Sequence, residues 1–377
     1  MAYRKYKLGD LVEQYDEINQ NGEFTEIEDL QGINSNKYFQ ECKSNKNNIN
    51  LLRYRICRHG MFSYNRATSR NGEKISIALR TGDDCIVSPS YYCFRVKDEE
   101  VLCPEYLDIW FKRPVFDKYA RFNSWGSATE FFTFDDFCAT EIMLPPLPEQ
   151  RKIVHDHQVI TDRIELLRKM NENLEEQAEL LFSDFMSSSN GKEGVFSDVI
   201  KIMGGGTPST AVNEYWNGDI PFFTPGDING SFCFSTNKTL TDKGLANCSS
   251  KKYPIKTTFI TCRGTVGKVA LAGVPMAMNQ TCYALTGKGD YPNYFVYEFV
   301  KYFVNSIKRK ANGGVFDAIT TKDFETEKVD VPTEGQALDF EKDVKPIFAV
   351  IFNNQREMFT LEHIRTLTMT SMIQKGA

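Results

Sequence analysis

Two blocks of basic side chains are the residues of this chain best suited to do chemistry. Residues 37–80 contain ten basic and two acidic groups, and residues 236–268 contain seven basic groups and one acidic group. Positive fields of this kind, interleaved with Asn, Ser, Thr and Tyr, suit a phosphate backbone and the edges of bases. A single charge run is more often a solvated surface. Two such runs in corresponding halves of one chain favour nucleic acid.

Local sequence indicates how some of these side chains are presented. Arg66 follows a strand-like segment at 62–65, Arg263 follows another at 259–262, and a second strand follows each arginine. An arginine in such a turn is free to bind a guanine edge or a phosphate. The glycines after Arg263 fit either a tight hairpin or a close approach to a ligand, and both interpretations stay open.

A third segment, GGGTPST at 204–210, combines a glycine run with hydroxyl donors and permits close backbone approach to a phosphate. The predicted DNA contacts from these segments and their neighbours are Lys43, Lys46, Arg53, Arg58, Tyr64, Asn65, Arg66, Arg70, Thr207, Ser209, Thr210, Lys238, Lys251, Lys252, Arg263, Lys268, Asn279 and Gln280.

The sequence shows no familiar catalytic motif. The Pro-Pro pair at 145–146 is followed by Leu, unlike the base-binding pocket motif of an adenine methyltransferase, and neither a Walker motif nor a hydrolase elbow is present. Only four histidines occur, without a convincing set of metal ligands. We therefore predict a chain without catalytic or metal-binding residues. A nuclease or methyltransferase with unrecognised catalytic residues remains an alternative.

The elements that must position the basic residues occur twice. Phe137 and Pro145 in the first copy correspond to Phe324 and Pro332 in the second, and both offsets are 187 residues. Each copy then continues into a long helical pattern. A duplication of this size predicts two similar globular bodies related by pseudo-symmetry.

Apolar residues repeat at alternating steps of four and three along both helical patterns, which is typical of a coiled-coil seam. Two long helices bury such seams most simply against each other, and we expect an antiparallel pair. Asn171 and Asn354 would then lie near the same level, although either could instead face solvent. The predicted seam consists of Ile153, Ile160, Ile164, Leu167, Asn171, Leu174, Leu181, Phe340, Ile347, Ile351, Asn354, Met358 and Leu361.

Length and composition predict a cytoplasmic protein of two or three domains. The chain has 377 residues and a net charge of -5, and ten cysteines are scattered without a CxxC pair. We expect these cysteines to be reduced and mostly buried. The sequence starts without an apolar segment, and its apolar runs are too short to span a bilayer.

Several motifs carry a family resemblance. The string LPPLPEQRKI at 144–153, GTPS at 206–209 and WNGDIP at 216–221, in this order along a duplicated chain, resemble the specificity subunit of type I restriction-modification systems. The resemblance extends over essentially the whole chain. It implies an α+β protein with two globular α/β target recognition domains, at 1–146 and 191–332, and two long antiparallel spacer helices, at 147–190 and 333–377.

The resemblance also implies partners. In this family each recognition domain binds one half of a split DNA site, and the helices set the gap and bind methyltransferase subunits, which we expect at two per chain. Restriction or translocase subunits would join in some complexes. S-adenosylmethionine, ATP and Mg would be bound by these partner subunits.

This chain departs from the family pattern in two places. The second proline motif is reduced to VPTEGQ at 331–336, and the first half lacks the GTPS and WNGDIP motifs. The departures suggest two recognition domains of different subtypes and hence a two-part, non-palindromic DNA sequence. A coiled-coil DNA-binding scaffold outside restriction-modification is the alternative function.

Overall fold

The computed structural model of the chain contains two compact units. The first comprises Met1–Asp162 with Glu362–Ala377, and the second comprises Arg163–Leu361. The structure describes residues 3–42, 49–68, 74–126, 129–310 and 318–374, and for 370–374 only the helical backbone. All ten cysteines are free thiols, and six of them are buried. Within the described ranges no helix is long and apolar enough to cross a membrane.

The first unit combines short strands with short helices, and a long helix, α5 (Leu147–Ser188), begins in it. The strands are β1 (Arg4–Lys7), β2 (Val12–Gln14), β3 (Gln31–Ile33), β4 (Phe39–Glu41), β5 (Arg55–Cys57), β6 (Phe62–Asn65), β7 (Ile77–Leu79), β8 (Cys85–Val87), β9 (Tyr91–Val96) and β10 (Glu141–Leu144). The other helices are α1 (Leu8–Leu11), α2 (Pro104–Phe111), α3 (Pro114–Phe122) and α4 (Phe134–Cys138).

An aromatic core holds the first unit together. Its main sheet has the antiparallel strand order β2-β9-β6-β7. Phe62 stacks on Phe94 with ring centroids 5.0 Å apart, and Tyr64 stacks on Phe137 of α4 at 5.3 Å. Burial of several large rings contributes about 1.5–3 kcal/mol each, so this sheet face is a rigid support for the loops at its edge.

The second unit is richer in strand pairing. Its main sheet has five strands in the order β12-β19-β16-β17-β14, and a smaller sheet has the order β15-β13-β18. The strands are β11 (Lys192–Val195), β12 (Ile200–Gly204), β13 (Trp216–Phe223), β14 (Phe232–Cys233), β15 (Thr239–Leu240), β16 (Thr258–Thr261), β17 (Val269–Ala272), β18 (Ala277–Met278), β19 (Cys282–Gly287) and β20 (Lys328–Val331). The helices are α6 (Phe196–Val199), α7 (Asp242–Ala246), α8 (Asn293–Lys310), α9 (Thr321–Thr326) and α10 (Glu334–Gln374).

The internal repeat is visible in the backbone pairing. β1 pairs antiparallel with β10 in the first unit, and β11 pairs antiparallel with β20 in the second. A threonine precedes the helix before β10 and before β20, and its hydroxyl donates to the aspartate three residues later, at 2.6 Å and 2.7 Å. The remaining cap hydrogen bonds differ between the copies. Thr133 Oγ1 accepts a hydrogen bond from Asp136 N, and Thr320 N donates to Asp323 Oδ2. The phenylalanine that follows is fully buried in each copy. The predicted α+β class with an internal repeat is confirmed.

Gln150 explains why the proline-rich string precedes the first long helix. Its side chain is fully buried. Nε2 donates to the carbonyl oxygens of Val101 and Pro145, both at 2.9 Å, and Oε1 accepts from Cys103 N at 2.9 Å. One buried amide therefore hydrogen-bonds to three backbone groups, and it fixes the start of α5 against the globular part of the first unit.

Within the second unit the two long helices run antiparallel. Asn354 Nδ2 donates to Asn171 Oδ1 at 2.8 Å. Before this level on α5, Arg163 binds Glu357 at 2.7 Å, and after it the Phe182 and Phe340 rings lie 5.2 Å apart. Positions that rise along one helix therefore fall along the other. The asparagines form the pair that the sequence register predicted.

The predicted seam positions are mostly covered, with one departure. Leu181 is 42 % exposed, whereas its neighbour Phe182 is 2 % exposed. A straight helix drifts about 20° per heptad against a 3.5-residue repeat, so the buried stripe moves by one position near the end of α5. The buried seam residues are Ile164, Leu167, Asn171, Phe340, Ile351 and Asn354, and the partly buried ones are Ile153, Ile160, Leu174, Ile347, Met358 and Leu361.

A charged cluster joins α8 to α5 in the second unit. Lys301 Nζ lies 2.5 Å from Glu179 and 3.4 Å from Glu298. Glu298 is 2 % exposed, and its burial raises the pKa of the carboxyl group to about 7. The opposite charge of Lys301 acts against this rise but does not cancel it, because desolvation disfavours the carboxylate more strongly.

Candidate DNA interface

The glycine run of the second unit packs against protein backbone. Gly206 N donates to Met278 O at 3.2 Å, and Tyr253 Oη donates to Gly204 O at 2.7 Å. A Cβ on Gly205 would collide with the carbonyl oxygen of Asn279. These glycines therefore let two loops approach each other. The sequence analysis allowed these glycines to approach a phosphate. In the structure they instead make room for the packing of two loops.

Exposed polar side chains lie around these packed loops. Thr207 Oγ1 donates to Gln280 Oε1. Trp216 Nε1 donates to Ser209 O at 3.1 Å, and Lys238 Nζ lies 5.6 Å from the centre of the Trp216 ring. Thr207, Ser209, Lys238 and Gln280 are all exposed, and so is Thr210, the next residue after Ser209. The structure thus brings together five predicted contacts from three segments that are far apart in sequence.

Three further cationic residues adjoin the loop that carries Gln280. Lys251 and Lys252 are exposed and follow Ser250, whose Oγ accepts from Met278 N at 3.0 Å. Arg263 is exposed and follows Cys262, whose backbone N donates to Thr281 O at 2.8 Å. We refer to Thr207, Ser209, Thr210, Lys238, Lys251, Lys252, Arg263 and Gln280 as the polar surface of the second unit.

Two predicted contacts in the second unit are placed differently. Asn279 is half-buried, and its Oδ1 accepts hydrogen bonds from both the backbone and the hydroxyl of Thr281, at 3.1 and 2.8 Å. Asn279 therefore orders the loop. Lys268 lines a cavity of about 370 Å³ together with Glu175 and Lys308, beside the two helices α5 and α8. The hairpin interpretation of the glycines after Arg263 holds, because Thr261 N donates to Lys268 O at 2.9 Å.

Arg66 is an exposed cation of the first unit and closely follows β6, as Arg263 closely follows β16 in the second unit. Its backbone O accepts from Phe132 N at 2.8 Å. Its guanidinium carbon lies 5.1 Å from the Phe131 ring centre and 5.9 Å from that of Tyr92. Asn65 is half-buried and orders the turn by accepting from Ala67 N at 3.1 Å. Arg66 is thus held by aromatic rings with its donors facing outward.

The comparisons with known proteins identify the family. The model of the type I restriction modification DNA specificity domain matches this chain twice, over residues 3–176 and 192–342. The chain belongs to this family. Each match begins with the first strand of one copy, β1 or β11, and extends into the long helix that follows that copy. The specificity domain of the family is therefore the repeated unit seen in the backbone.

Individual relatives extend this likeness. The MjaIX specificity subunit of Methanocaldococcus jannaschii is 33% identical over 121 residues, which are 31% of this chain and 28% of that subunit. The HindI specificity subunit of Haemophilus influenzae is 22% identical over 98% of both chains. The solved S subunit of a type I restriction-modification system from M. genitalium shares the fold, with a TM-score of 0.58, 14% identity and coverage of 99% of this chain and 96% of that one.

Two residues predicted as DNA contacts of this specificity protein have other roles. Tyr64 is fully buried in the aromatic core, where burial raises the pKa of its hydroxyl far above the usual value, so its ring does not reach the surface. Arg58 binds Glu17, Glu23 and Asp84. Its charge is neutralised by three carboxylates, which leaves no net attraction for a phosphate.

The remaining predicted contacts of the first unit are Lys43, Lys46, Arg53 and Arg70. Arg53 is exposed at the end of a short 3-10 helix, Leu51–Arg53. Lys43, Lys46 and Arg70 lie outside the described residues. Among the residues that the structure describes, no cluster of His, Cys, Asp and Glu could hold a metal ion.

Three residues that the sequence analysis missed are exposed aromatic side chains near Arg66. Phe122 is 81 %, Trp125 71 % and Phe131 36 % exposed. An available signal was the density of aromatic residues around Gly126 in a segment without helical or strand periodicity. We refer to these three as the aromatic patch.

Proposed function

We propose that this chain is the DNA-recognition subunit of a type I restriction-modification complex and that each of its two units binds one half of a split DNA site. One observation supports this most strongly. Arg66 closely follows β6 and Arg263 closely follows β16, both strands of a main sheet, and each arginine lies beside the segment that leads into the repeated capped helix. In the repeated pairing Arg263 takes the position of Ala67, the residue after Arg66, so the two copies expose cations at neighbouring positions of one frame. Exposed cations in both copies suit two stretches of one polyanion.

The two halves of the site should differ in sequence. The second unit offers hydroxyl, amide and ammonium groups around Arg263, whereas the first offers aromatic rings around Arg66. Hydrogen-bonding groups and apolar rings select different base edges, because only some base pairs present a methyl group or a given donor pattern. We therefore propose an asymmetric two-part recognition sequence.

The long helices would set the gap between the two halves and bind the partner subunits. α5 has 42 residues, which correspond to about 63 Å of helix, well above the roughly 34 Å of one DNA turn. Both helices carry exposed apolar side chains. Their exposure to water is unfavourable, and a bound protein partner would bury them. These are Val159, Leu166, Met170, Leu180, Leu181, Leu338, Val350, Phe359, Ile364 and Leu367.

The chemistry of the complex would belong to the partners. We propose two methyltransferase subunits per chain, with restriction or translocase subunits in some complexes. S-adenosylmethionine, ATP and Mg would be bound by those subunits, and this chain would contribute recognition without a catalytic residue. The exposed cations in loops of both units support the recognition role, because they suit DNA binding.

Mapping methylated adenines tests the proposal. The chain is co-expressed with a type I methyltransferase subunit, and modified adenines are located across the host genome. We expect a split motif with two unequal halves. Arg66→Ala should relax or abolish recognition of one half, and Arg263→Ala should affect the other half.

The matched control is Arg95→Ala, because Arg95 is also exposed in the first unit but is paired with Glu13 at 2.6 Å. It should leave the motif unchanged. A continuous motif, or loss of the same half in both arginine variants, would contradict the proposal. So would a complex that assembles with the methyltransferase subunit and methylates no specific sequence.

A further inference from the structure

The aromatic patch of the first unit is unusual for a surface. Rings as large as those of Phe122 and Trp125 normally contribute about 1.5–3 kcal/mol when buried, yet these two are 81 % and 71 % exposed. Trp125 and Phe131 are cross-strand neighbours, and neighbouring exposed apolar groups of this kind mark interaction sites.

The backbone holds the patch in place. Trp125 N donates to Phe131 O at 3.1 Å and Phe131 N donates to Trp125 O at 2.9 Å, so the two residues are direct cross-strand neighbours. Ala67 pairs with Phe131 from the other side. A Cβ on Gly126 would collide with the carbonyl oxygen of Thr129, so the turn beside Trp125 requires glycine. The backbones of Trp125 and Phe131 are therefore held next to the segment that follows β6.

Charge at the patch is positive. The Arg66 guanidinium carbon lies 5.1 Å from the Phe131 ring centre. The other arginine nearby, Arg121, is ion-paired with Glu130, so these two charges cancel. A cation stacked on exposed aromatic rings suits nucleic acid, which offers apolar base faces and methyl groups to the rings and phosphates to the cation. It matches an apolar protein groove less well, because the guanidinium would have to be desolvated there.

In the second unit, Ala318 stands at the position equivalent to Phe131. Ala318 lies 187 positions after Phe131 and pairs with Arg263, whereas Phe131 pairs with Ala67, the residue after Arg66. The strand pairing is thus repeated, and each copy has an arginine at or next to the paired position, whereas Phe131 is replaced by Ala318. A change of side chain next to an arginine in a shared backbone frame is expected of a residue that distinguishes two half-sites.

We propose that the aromatic patch contacts bases of the half-site bound by the first unit and determines part of its sequence specificity. Trp125 and Phe131 make apolar contact with that half-site, against thymine methyl groups or at an opened base step, while Arg66 binds an adjacent base edge or phosphate. This inference rests on the proposed function.

The test uses the complex with the methyltransferase subunit. Trp125→Ala and Phe131→Ala should each weaken binding to the split site by about 10-fold, since base–aromatic contacts of this kind carry about 1–3 kcal/mol. Trp125→Phe, which keeps a ring, should retain most of the affinity. Val115→Ala on α3 is the matched control for removing an exposed apolar side chain and should have no effect.

Two readouts separate base contact from a structural role. DNA should quench the fluorescence of Trp125, measured as the difference between wild type and Trp125→Phe. Base changes in one half of the motif, the half affected by Arg66→Ala, should matter less to Trp125→Ala than to wild type, while changes in the other half keep their full effect. Thermal unfolding of each variant checks that the fold persists.

The outcomes are distinct. If wild type methylates a split motif and both alanine variants retain its affinity and selectivity, the patch inference is overturned and the proposed function stands. If the variants fail to assemble with the methyltransferase subunit in size-exclusion chromatography, the patch binds protein and the inference is likewise overturned. If wild type recognises no split motif, the proposed function itself fails.

Discussion

Replacing the buried asparagine pair of the long helices by leucine should reveal a strong energetic coupling between them. Asn171 and Asn354 are 5 % and 8 % exposed and share one hydrogen bond of 2.8 Å. In Asn354→Leu the amide of Asn171 loses this bond and faces an apolar side chain. The same holds for Asn354 in Asn171→Leu.

The expected magnitudes follow from the cost of an unpaired buried polar group. Leaving one amide without its partner costs about 1–3 kcal/mol, part of which the added apolar surface of leucine offsets. We therefore expect each single variant to lose about 1–2 kcal/mol. The double variant buries two leucines and no unpaired amide, so its stability should equal or exceed that of wild type. The coupling energy should be at least about 1 kcal/mol.

Urea unfolding of wild type, both single variants and the double variant measures this coupling. Helical circular dichroism follows the transition, and equal m-values establish that the four proteins unfold comparably. Leu167→Ala supplies a control for loss of an ordinary seam contact, because Leu167 is 1 % exposed and apolar. Effects that simply add, with the double variant as destabilised as the sum of the singles, would refute the reasoning that the two amides satisfy each other.

Three further predictions concern the charges and the helices. Because the pKa of Glu298 rises to about 7 from 4.5, the unfolded chain releases this proton first, so the stabilising contribution is full below pH 4.5 and is lost as the pH rises towards 7. Glu298→Gln should therefore flatten the fall in urea stability between pH 5 and 7 by on the order of 2 kcal/mol, and an unchanged slope would contradict the assignment. Arg58→Ala should destabilise the first unit by about 1–2 kcal/mol and leave the DNA affinity of the folded complex unchanged, in contrast to Arg66→Ala. Deleting one helical turn from each long helix should alter the gap of the methylated motif and leave its bases unchanged, and an unaltered gap would show that the helices do not set it.

Much of the fold follows from short-range sequence patterns. The coiled-coil period predicted two long helices, and their expected antiparallel arrangement placed Asn171 near the level of Asn354, where the structure has their hydrogen bond. The repeated Thr and Asp residues are helix caps, a local motif with a fixed spacing. The shift from Leu181 to Phe182 was not predicted, because a strict 3.5-residue count ignores the drift of a straight helix.

The candidate site was harder to predict because long-range partners decide which basic residues remain free. Arg58 looks like a DNA contact in sequence, yet its carboxylate partners lie 41, 35 and 26 positions away. Tyr64 lies one residue before Asn65 in β6, a strand in which Phe62, Ser63 and Tyr64 are all fully buried, so both of its faces are covered. Without the register of β6 against its neighbours, neither assignment follows from residue type alone.

The residues that are shared between the two units differ in kind from those that are not, and this difference bears on DNA specificity. The residues that repeat between the units, namely the capped helices, the paired strands and the arginines after β6 and β16, build a common frame and a common positive charge. The residues that do not repeat, such as Phe131 against Ala318, lie beside those arginines. Phosphate contacts position a protein on DNA and base contacts specify the sequence. Because the frame is shared and the neighbours of the arginines differ, the difference between the two half-sites should lie in the side chains that flank Arg66 and Arg263, and exchanging those flanking segments between the units should exchange the halves of the methylated motif.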